Sequence, residues 1–305
     1  MQAVIVAVLA SVVWLKGNLH THTLESDGDS TPAEIAAWYR DRGYDFLAIT
    51  DHDKVTKIDG PPGLVLIAAE EVTDRLEGKS LHVNALGIER VVPIQGGKNK
   101  VDVLQRNIDA VRAAGGVPLV NHPNFGWAFG ANELLQLENF TLLEIASGHP
   151  YVNMLGPPSV ETMWDRLLAE GRKVYGVAVD DSHHLKRPWD KDVALPGKAW
   201  VVVRAERNAK SILAALERGD FYASTGVELE EVSGTSVKVR EKNRAHYRIQ
   251  FIGRGGRVLQ ETEGLTASYT PRGNEGYVRA KVIDSNGRMA WGQPAFIDRS
   301  RRAKH

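Results

Sequence analysis

Apolar runs that alternate with capped amphipathic segments, from Val12 to about Gly226, are the feature that most restricts the fold of this chain. The runs are short and almost continuously apolar, which is typical of strands covered on both faces in a parallel sheet. Strands and helices in regular alternation predict an α/β barrel or an open α/β sheet. The predicted strands are Phe46–Thr50, Leu64–Ala68, His82–Leu86, Val117–Val120, Leu142–Ile145, Val174–Ala178 and Trp200–Val203.

Helix boundaries carry strong local signals. Thr31-Pro32-Ala33-Glu34 combines an N-cap hydroxyl, a proline at the first helical position and a glutamate at the third, which predicts a helix ending near Gly43. Three further helices are predicted to end at glycines, which readily adopt the left-handed conformation found after a helix. They span Val101–Ala114, Val160–Glu170 and Asn208–Arg218.

From about Val227 the pattern changes to single alternation of apolar and polar residues, as at Tyr247, Ile249 and Phe251, with glycine-rich turns between the stretches. This pattern predicts a small antiparallel β-sandwich domain. The predicted segments are an apolar N-terminal segment over 1–13, a barrel-like α/β domain over 14–226, the β domain over 227–298 and a basic tail over 299–305.

The N-terminal segment admits two interpretations. The apolar run from Ala3 to Val13 is similar to an export signal, although no basic residue precedes it, and it favours a periplasmic or secreted protein over a cytoplasmic one. Alternatively, the residues from Val12 simply lead into the first buried strand. The run is too short to span a bilayer, so we expect no membrane span.

Composition excludes several kinds of chemistry. The chain has 38 basic and 38 acidic residues, so no excess of positive charge favours nucleic acid, and no nucleic-acid partner is expected. It has no cysteine, which excludes disulfides, thiolate nucleophiles and iron–sulfur clusters. Any bound metal must therefore be held by imidazole and carboxylate groups.

Histidines and carboxylates recur at or just beyond the ends of the predicted strands. His20 and His22 are two residues apart, so their imidazoles project from one face of an extended strand, and Asp181 and His183 repeat that spacing. Such folds have their active sites at these strand ends, which predicts one pocket. The donors suit two or three zinc, manganese or iron(II) ions. The candidate ligands are His20, His22, Asp27, His52, Glu71, His82, His122, Asp181 and His183.

The sequence resembles the PHP (polymerase and histidinol phosphatase) metallohydrolases in two early segments, 17–28 and 43–53, and in the order and spacing of the later candidate ligands. The resemblance covers residues 14–225 and implies a distorted (β/α)7 barrel with a two- or three-metal site at its C-terminal mouth. By the same resemblance, one ion would be held by His20, His22, Glu71 and Asp181, a second by Asp27, His52 and His183, and a third by Glu71, His82 and His122.

The resemblance also guides three finer choices. The register of the family motif selects Glu71 over Glu70 and Asp181 over Asp180, since adjacent residues of a strand face opposite sides. Asp27 stands where many members have histidine. The segments 276–280 and 290–296 resemble the appended domain of a carbaryl-hydrolase-like branch, which implies ester or carbamate cleavage as an alternative to phosphoester cleavage.

Single residues also have simpler interpretations. Asp27 precedes a glycine and is typical of a turn, and buried histidines often only satisfy backbone groups. We expect Asp51 to orient an imidazole rather than to bind metal, and His149 to be an ordinary surface or packing residue.

These observations predict a metal-dependent hydrolase that activates water with a multinuclear site, and most directly a phosphoesterase acting on a small phosphomono- or diester. Cleavage of a carboxyl ester, carbamate or amide is the enzymatic alternative, and a metal- or glycan-binding module is the non-enzymatic one. The predicted catalytic residues are Asp27, His52, His184 and Arg187. His184 could protonate the leaving group, and Arg187 could clamp an anion because a guanidinium pairs with phosphate through two hydrogen bonds.

Overall fold

The computed structural model describes residues 11–153 and 159–297, so most of the predicted segment 1–13 and the tail 299–305 lie outside the described residues. Helices and strands alternate through the first two thirds of the chain, and strands dominate thereafter. The six helices of this part are α1 Pro32–Asp41, α2 Lys100–Ala113, α3 Ala131–Leu134, α4 Pro150–Asn153, α5 Val160–Ala169 and α6 Ala209–Arg218. The strands are β1 Val13–Asn18, β2 Phe46–Ile49, β3 Val65–Leu76, β4 Lys79–Leu86, β5 Val117–Val120, β6 Leu142–Ser147, β7 Tyr175–Val179, β8 Trp200–Ala205, β9 Phe221–Ser224, β10 Leu229–Val232, β11 Ser236–Val239, β12 Tyr247–Gly253, β13 Arg257–Glu263, β14 Thr266–Ser268, β15 Tyr277–Asp284, β16 Met289–Gly292 and β17 Ala295–Phe296.

The fold is a mixed α/β structure built on one large sheet. Among the described residues this sheet has 14 strands in the order β13-β12-β15-β16-β9-β8-β1-β2-β3-β4-β5-β6-β7, with β17 paired to β15. A separate three-stranded sheet contains β10, β11 and β14. The predicted α/β class is therefore confirmed, and the large sheet continues across residue 226 because β9 pairs with β16.

The expectation that all strands of the first domain are parallel is wrong for β4 and β8. β3 pairs antiparallel with β4, β4 pairs antiparallel with β5, and β8 pairs antiparallel with β1. At β4 the cause is local: Glu77 and Gly78 both have positive φ, 51° and 73°, and form a two-residue hairpin turn. The hairpin lengthens β3 to 12 residues, so His82 lies inside a strand rather than at its start.

A short backbone contact joins the first and last strands of the β1–β7 series. No strand ladder links β7 to β1 in the described part of the chain, but Thr21 and Ser182 form a single parallel bridge just beyond them. The amide of His22 donates to the carbonyl of Ser182 at 2.8 Å, and the amide of Asp181 donates to the carbonyl of His20 at 3.0 Å. The His20–His22 and Asp181–His183 segments are therefore held side by side through their backbones.

The predicted helix signals act as expected. At the start of α1, the Thr31 hydroxyl accepts from the amide of Glu34, and the Glu34 carboxylate accepts from the amide of Thr31 at 2.7 Å. Gly219 ends α6 in the left-handed conformation with φ of 77°. None of the described helices is long and apolar enough to cross a membrane.

A buried ionic cluster attaches the C-terminal strands to α5. The Arg279 side chain on β15 is fully buried over the ring of Trp164, and it donates to both carboxylate oxygens of Asp165, at 2.8 and 2.7 Å. It also donates to Glu161 at 2.8 Å. A buried guanidinium of this kind is retained only with such partners, because its desolvation cost is large.

Replacing Arg279 should destabilise the whole chain. Arg279→Met leaves the buried Asp165 carboxylate without its main partner, and we expect the free energy of unfolding to fall by about 3–5 kcal/mol in urea titrations. Arg248→Met on the neighbouring strand β12 removes a half-exposed arginine and should leave the transition midpoint unchanged. Equal effects of the two substitutions would show that the cluster does not anchor the strands.

Candidate metal centre

The carboxylate of Glu71 lies at the centre of a buried group of histidines. Glu71 follows the part of β3 that pairs with β2, and an isolated bridge to His52 fixes its backbone. Its two oxygens face different imidazoles, which is the arrangement expected of a carboxylate that bridges two cations. Oε1 lies 2.9 Å from Nδ1 of His82 and 3.3 Å from Nε2 of His122, whereas Oε2 lies 3.3, 3.4 and 3.0 Å from Nε2 of His20, Nε2 of His22 and Nδ1 of His52.

One set of ligand atoms converges at His20, His22 and Asp181. The two Nε2 atoms of His20 and His22 are 3.1 Å apart, and they lie 3.3 and 3.4 Å from Oδ1 of Asp181. Metal–ligand bonds of about 2.0–2.2 Å place neighbouring atoms of a tetrahedral site roughly 3.3–3.6 Å apart. The two spacings to Asp181 fit a zinc-sized ion, and the spacing between the two imidazoles is slightly shorter than that range. The all-nitrogen-and-oxygen donor set also suits manganese or iron(II).

A second set is formed by His22, Asp27, His52 and His183. The half-exposed carboxylate of Asp27 lies 3.4 Å from Nε2 of both His52 and His183, and 3.5 Å from Nδ1 of His22. His22 thus takes part in both sets, which extends the ligand grouping predicted from the sequence. The set opens towards solvent because Asp27 and His52 are partly exposed.

A third set joins His20, Glu71 and His122, and His82 lies beside it. Nδ1 of His82 faces Glu71, while its buried Nε2 has no hydrogen-bond partner among the described residues. A buried polar nitrogen without a partner is costly, so this atom is the part of the cluster that most needs a ligand.

The electrostatics of the cluster favour bound cations. Burial alone would raise the pKa of Glu71, but His82 and His20 outweigh it and hold that pKa well below its usual range. Burial would lower the pKa of His52, but Asp27 and Glu71 raise it to about 10. Burial and the adjacent His183 lower the pKa of His22 to about 4. The carboxylates are thus ionised, and divalent ions could take the place of the protons that they draw onto the imidazoles.

The structure also shows where the alternative carboxylates point. Glu70 faces away from the cluster and accepts from the backbone amide of Val92, and burial raises its pKa to about 7. Asp180 accepts from Tyr39 Oη at 2.7 Å and from three backbone amides at 197–199, so its oxygens are fully used in folding. Glu71 and Asp181 are therefore the members of each pair that face the histidines.

Asp51 does not contact an imidazole, which corrects the expectation for this residue. Its oxygens accept from the amide and hydroxyl of Thr23 at 2.7 and 2.8 Å, from Ser26 at 2.8 Å and from Thr56 at 2.5 Å. Asp51 instead fixes the loop that carries Asp27, because Thr23 and Ser26 lie in that loop just before Asp27. A short loop tied in this way presents its carboxylate in one place.

Glu144 is a site residue that the sequence analysis missed. Its Oε1 lies 2.6 Å from Nδ1 of His20, and its Oε2 accepts from the backbone amide of His122 at 2.9 Å. Since Nδ1 of His20 is committed to Glu144, Nε2 is the atom of His20 left to bind an ion. A buried glutamate inside the apolar strand Leu142–Ser147 was the signal that could have identified it.

Two asparagines and a histidine complete the missed residues. Asn121 donates to Oε1 of Glu71 at 2.8 Å and to Asn84 at 2.8 Å, and Asn84 donates to the carbonyl of Leu19. This series of hydrogen bonds orients the carboxylate of Glu71 from the side of β4 and β5. His149, expected to be a surface or packing residue, lines the cleft, and its Nδ1 accepts from the amide of Tyr151 at 3.2 Å.

The cluster lies at the bottom of a cleft of about 530 Å³, which is within the usual size of small-molecule sites. His184 and Arg187 line the cleft but contact none of the three ligand sets. The imidazole of His184 lies 3.5 Å from Asp29, and the guanidinium of Arg187 lies 3.1 Å from His184 and 3.6 Å from Asp190. Both residues therefore belong to the wall of the cleft.

One of the comparisons with known proteins supports this fold. No protein-family model matches the chain. A solved two-domain protein from Bacteroides vulgatus that contains a predicted PHP-like metal-dependent phosphoesterase has a TM-score of 0.53 and 15% identity, and the match covers 90% of this chain and 91% of that one. The fold is PHP-like. An amidohydrolase from Chromobacterium violaceum has a TM-score of 0.41 and 17% identity, with 59% of this chain and 92% of that one covered.

One relative is recognisable from sequence. A 5′-3′ exoribonuclease from Haemophilus influenzae is 31% identical over 84 residues. The match covers 26% of this chain and spans 31% of the length of that relative. This chain therefore spans less than a third of the length of that relative.

Glu144→Gln should weaken metal binding without unfolding the chain. The amide keeps the size of the side chain but removes the charge that holds Nδ1–H of His20, and such outer partners contribute about 10- to 100-fold to metal affinity. Competition with a chromophoric chelator would measure this for zinc. Glu170→Gln, an exposed change after α5, is the matched control. Equal affinities for the two variants would contradict the role of Glu144.

Proposed function

We propose that this chain is a metal-dependent hydrolase whose best-supported substrates are phosphoesters. The observation that carries the proposal is the placement of Glu71, a buried carboxylate whose two oxygens face separate sets of imidazoles. Such an arrangement serves ions that share a ligand, and paired ions are a recurrent device for hydrolysing phosphoesters. The PHP-like fold adds support to this proposal.

The proposed ligands divide among two or three zinc, manganese or iron(II) ions. His20, His22 and Asp181 would hold one ion together with Glu71. Bound ions would lower the pKa of a water molecule from about 15.7 towards 7 and would stabilise negative charge on the ester under attack. We propose that Asp27, His52 and His183 hold the second ion. Glu71, His82 and His122 would hold the third.

The remaining proposed roles belong to residues of the cleft. Asp27 and His52 lie on the solvent side of the cluster, where an attacking water would enter. Arg187, on the wall, would pair with an anionic group of the substrate, and the neighbouring His184 would donate a proton to the leaving oxygen. Both side chains reach the cleft from the loop that follows His183, so one segment supplies an ion ligand and both of these groups.

The finer architecture is also a proposal. We infer that β1–β7 form the distorted (β/α)7 barrel of the family, with the bridge between Thr21 and Ser182 at its closure, and that residues 14–226 and 227–298 are the two domains. The packing of Val237, Ile249 and Val282 in one apolar cluster supports a sandwich in the second domain. An appended domain of the carbaryl-hydrolase-like branch would favour the ester or carbamate alternative.

A second candidate is cleavage of phosphodiester bonds in RNA. The specific support is the 84-residue similarity to an exoribonuclease. The balanced net charge of the chain weighs against tight binding of a long nucleic acid, because such binding depends largely on positive charge. A short oligonucleotide would need only the cleft.

The central test is metal-dependent hydrolysis by the full chain. Protein stripped with a chelator and reloaded with zinc, manganese or iron(II) should hydrolyse p-nitrophenyl phosphate or bis-p-nitrophenyl phosphate faster than p-nitrophenyl acetate. Asp181→Ala should lower kcat/KM by about 100-fold or more, because one ion loses a charged ligand. Asp59→Ala, at an exposed position away from the cluster, should retain full activity.

The alternatives give different results in the same assay. Faster turnover of the acetate would favour the carboxyl-ester alternative, and release of nucleotides from a short oligoribonucleotide would favour the RNA candidate. Full activity of Asp181→Ala, or bound metal without turnover of any substrate, would contradict the proposed hydrolase.

A further inference from the structure

The β3–β4 hairpin extends beyond the metal cluster and forms one wall of the cleft. Successive side chains of a strand alternate between faces, so Glu71, Thr73 and Arg75 lie on the same face of β3. In the register of the hairpin, Thr73 is opposite His82 and Arg75 is opposite Ser80. Arg75 and Ser80 line the cleft together with Glu71 and His82. The hairpin therefore continues from the ligands to an exposed arginine at the outer part of the same wall.

The charge of Arg75 is not neutralised by its neighbours. Among the described residues its guanidinium has no ion-pair partner, and the adjacent carboxylate of Asp74 is buried on the opposite face. There Asp74 accepts from Nδ2 of Asn107 and from the amide of Gly96, each at 2.9 Å. By contrast, Arg187 already contacts Asp190 and His184. Of the two arginines that line the cleft, Arg75 is thus the one without an anionic partner in the described part of the chain.

The hairpin holds Arg75 in a defined place. Nζ of Lys79, just after the turn, donates to the carbonyl of Gly126 at 2.7 Å, which ties the tip of the hairpin to the loop after β5. On the other face, the contacts of Asp74 fix the strand against α2. Because the backbone is fixed, binding of an anion orders only the side chain of Arg75, whose planar guanidinium loses little freedom per hydrogen bond formed.

The spacing along β3 sets the distance between the backbone of Arg75 and that of Glu71. Four residues of an antiparallel strand advance by about 13 Å, so the backbone of Arg75 lies well beyond that of Glu71. The bond that is cleaved must lie at the ions, next to Glu71. The position of Arg75 on the outer part of the wall therefore suits a different part of the substrate, carried a short distance from the reacting centre.

We propose that Arg75 recognises a second phosphate of the substrate, separate from the phosphoester that is hydrolysed. The inference rests on the proposed phosphoesterase function and deepens it by naming the substrate class. The hydroxyl of Ser80 is placed to add a hydrogen bond to the same group. A small bisphosphorylated molecule and the next phosphate of a short nucleotide chain both present this chemistry.

A series of model substrates tests the proposal. Bisphosphates of α,ω-alkanediols with two to eight carbons would be compared with alkyl monophosphates of the same lengths, by release of inorganic phosphate from the metal-loaded chain. One range of lengths should be preferred as the bisphosphate by about 10- to 100-fold in kcat/KM, the effect of a charge-assisted hydrogen-bond pair. A 5′-phosphorylated dinucleotide in parallel would show whether a nucleotide chain supplies the second phosphate.

Arg75→Gln should remove that preference, mainly through a higher KM for the bisphosphate with a smaller change in kcat. Arg106→Gln, which replaces an exposed arginine on α2 outside the cleft, should keep the preference. Wild-type turnover of monophosphates with no preference for any bisphosphate or for the dinucleotide would overturn the role of Arg75 and leave the proposed function intact. A preference that persists in Arg75→Gln would overturn it as well. No turnover of either series would contradict the proposed function itself, and this inference with it.

Discussion

The attraction between one buried carboxylate and five imidazoles is the interaction on which the site depends. Glu71 is almost fully buried, yet the histidines around it keep its pKa low and its side chain ionised. Burying this much charge costs several kcal/mol per ion unless opposite charges compensate it. Divalent ions between these groups would provide the compensation, and they would also place a strong electrostatic field at the bottom of an open cleft. The same bound ions would therefore stabilise the buried charges of the cluster and supply the field that activates water.

The fold brings these groups together through backbone contacts at the strand ends. The bridge between Thr21 and Ser182 aligns two segments that are far apart in sequence, and the bridge between His52 and Glu71 aligns two more. Six of the nine ligands lie at or next to a bridged residue, so their positions depend on the sheet: His20, His22, His52, Glu71, Asp181 and His183. Asp51, Asn121 and Glu144 then fix the loop, the central carboxylate and the first imidazole by hydrogen bonds.

Much of this could be predicted from local patterns. Thr31 begins α1 and Gly219 ends α6 as expected, because capping depends on a few adjacent residues. The His20–His22 spacing indicated two imidazoles on one face for the same reason. The direction of β4 was predicted incorrectly, since the apolar pattern does not distinguish a parallel strand from an antiparallel one, and the Glu77-Gly78 turn that decides it was overlooked. Glu144 was missed because its contacts with His20 and His122 join residues distant in sequence, which no local pattern reveals. His149 was missed because the cleft that it lines is assembled from distant parts of the chain.

The most direct test of the account is the location of ions around Glu71. Crystals of the metal-replete chain, measured on both sides of the absorption edge of the bound metal, would show each ion as an anomalous peak. The account predicts at least two peaks that share the Glu71 carboxylate, one next to Asp181 and one next to either Asp27 or His82. A single peak that Glu71 does not contact, or no peak among these residues at saturating metal, would contradict it.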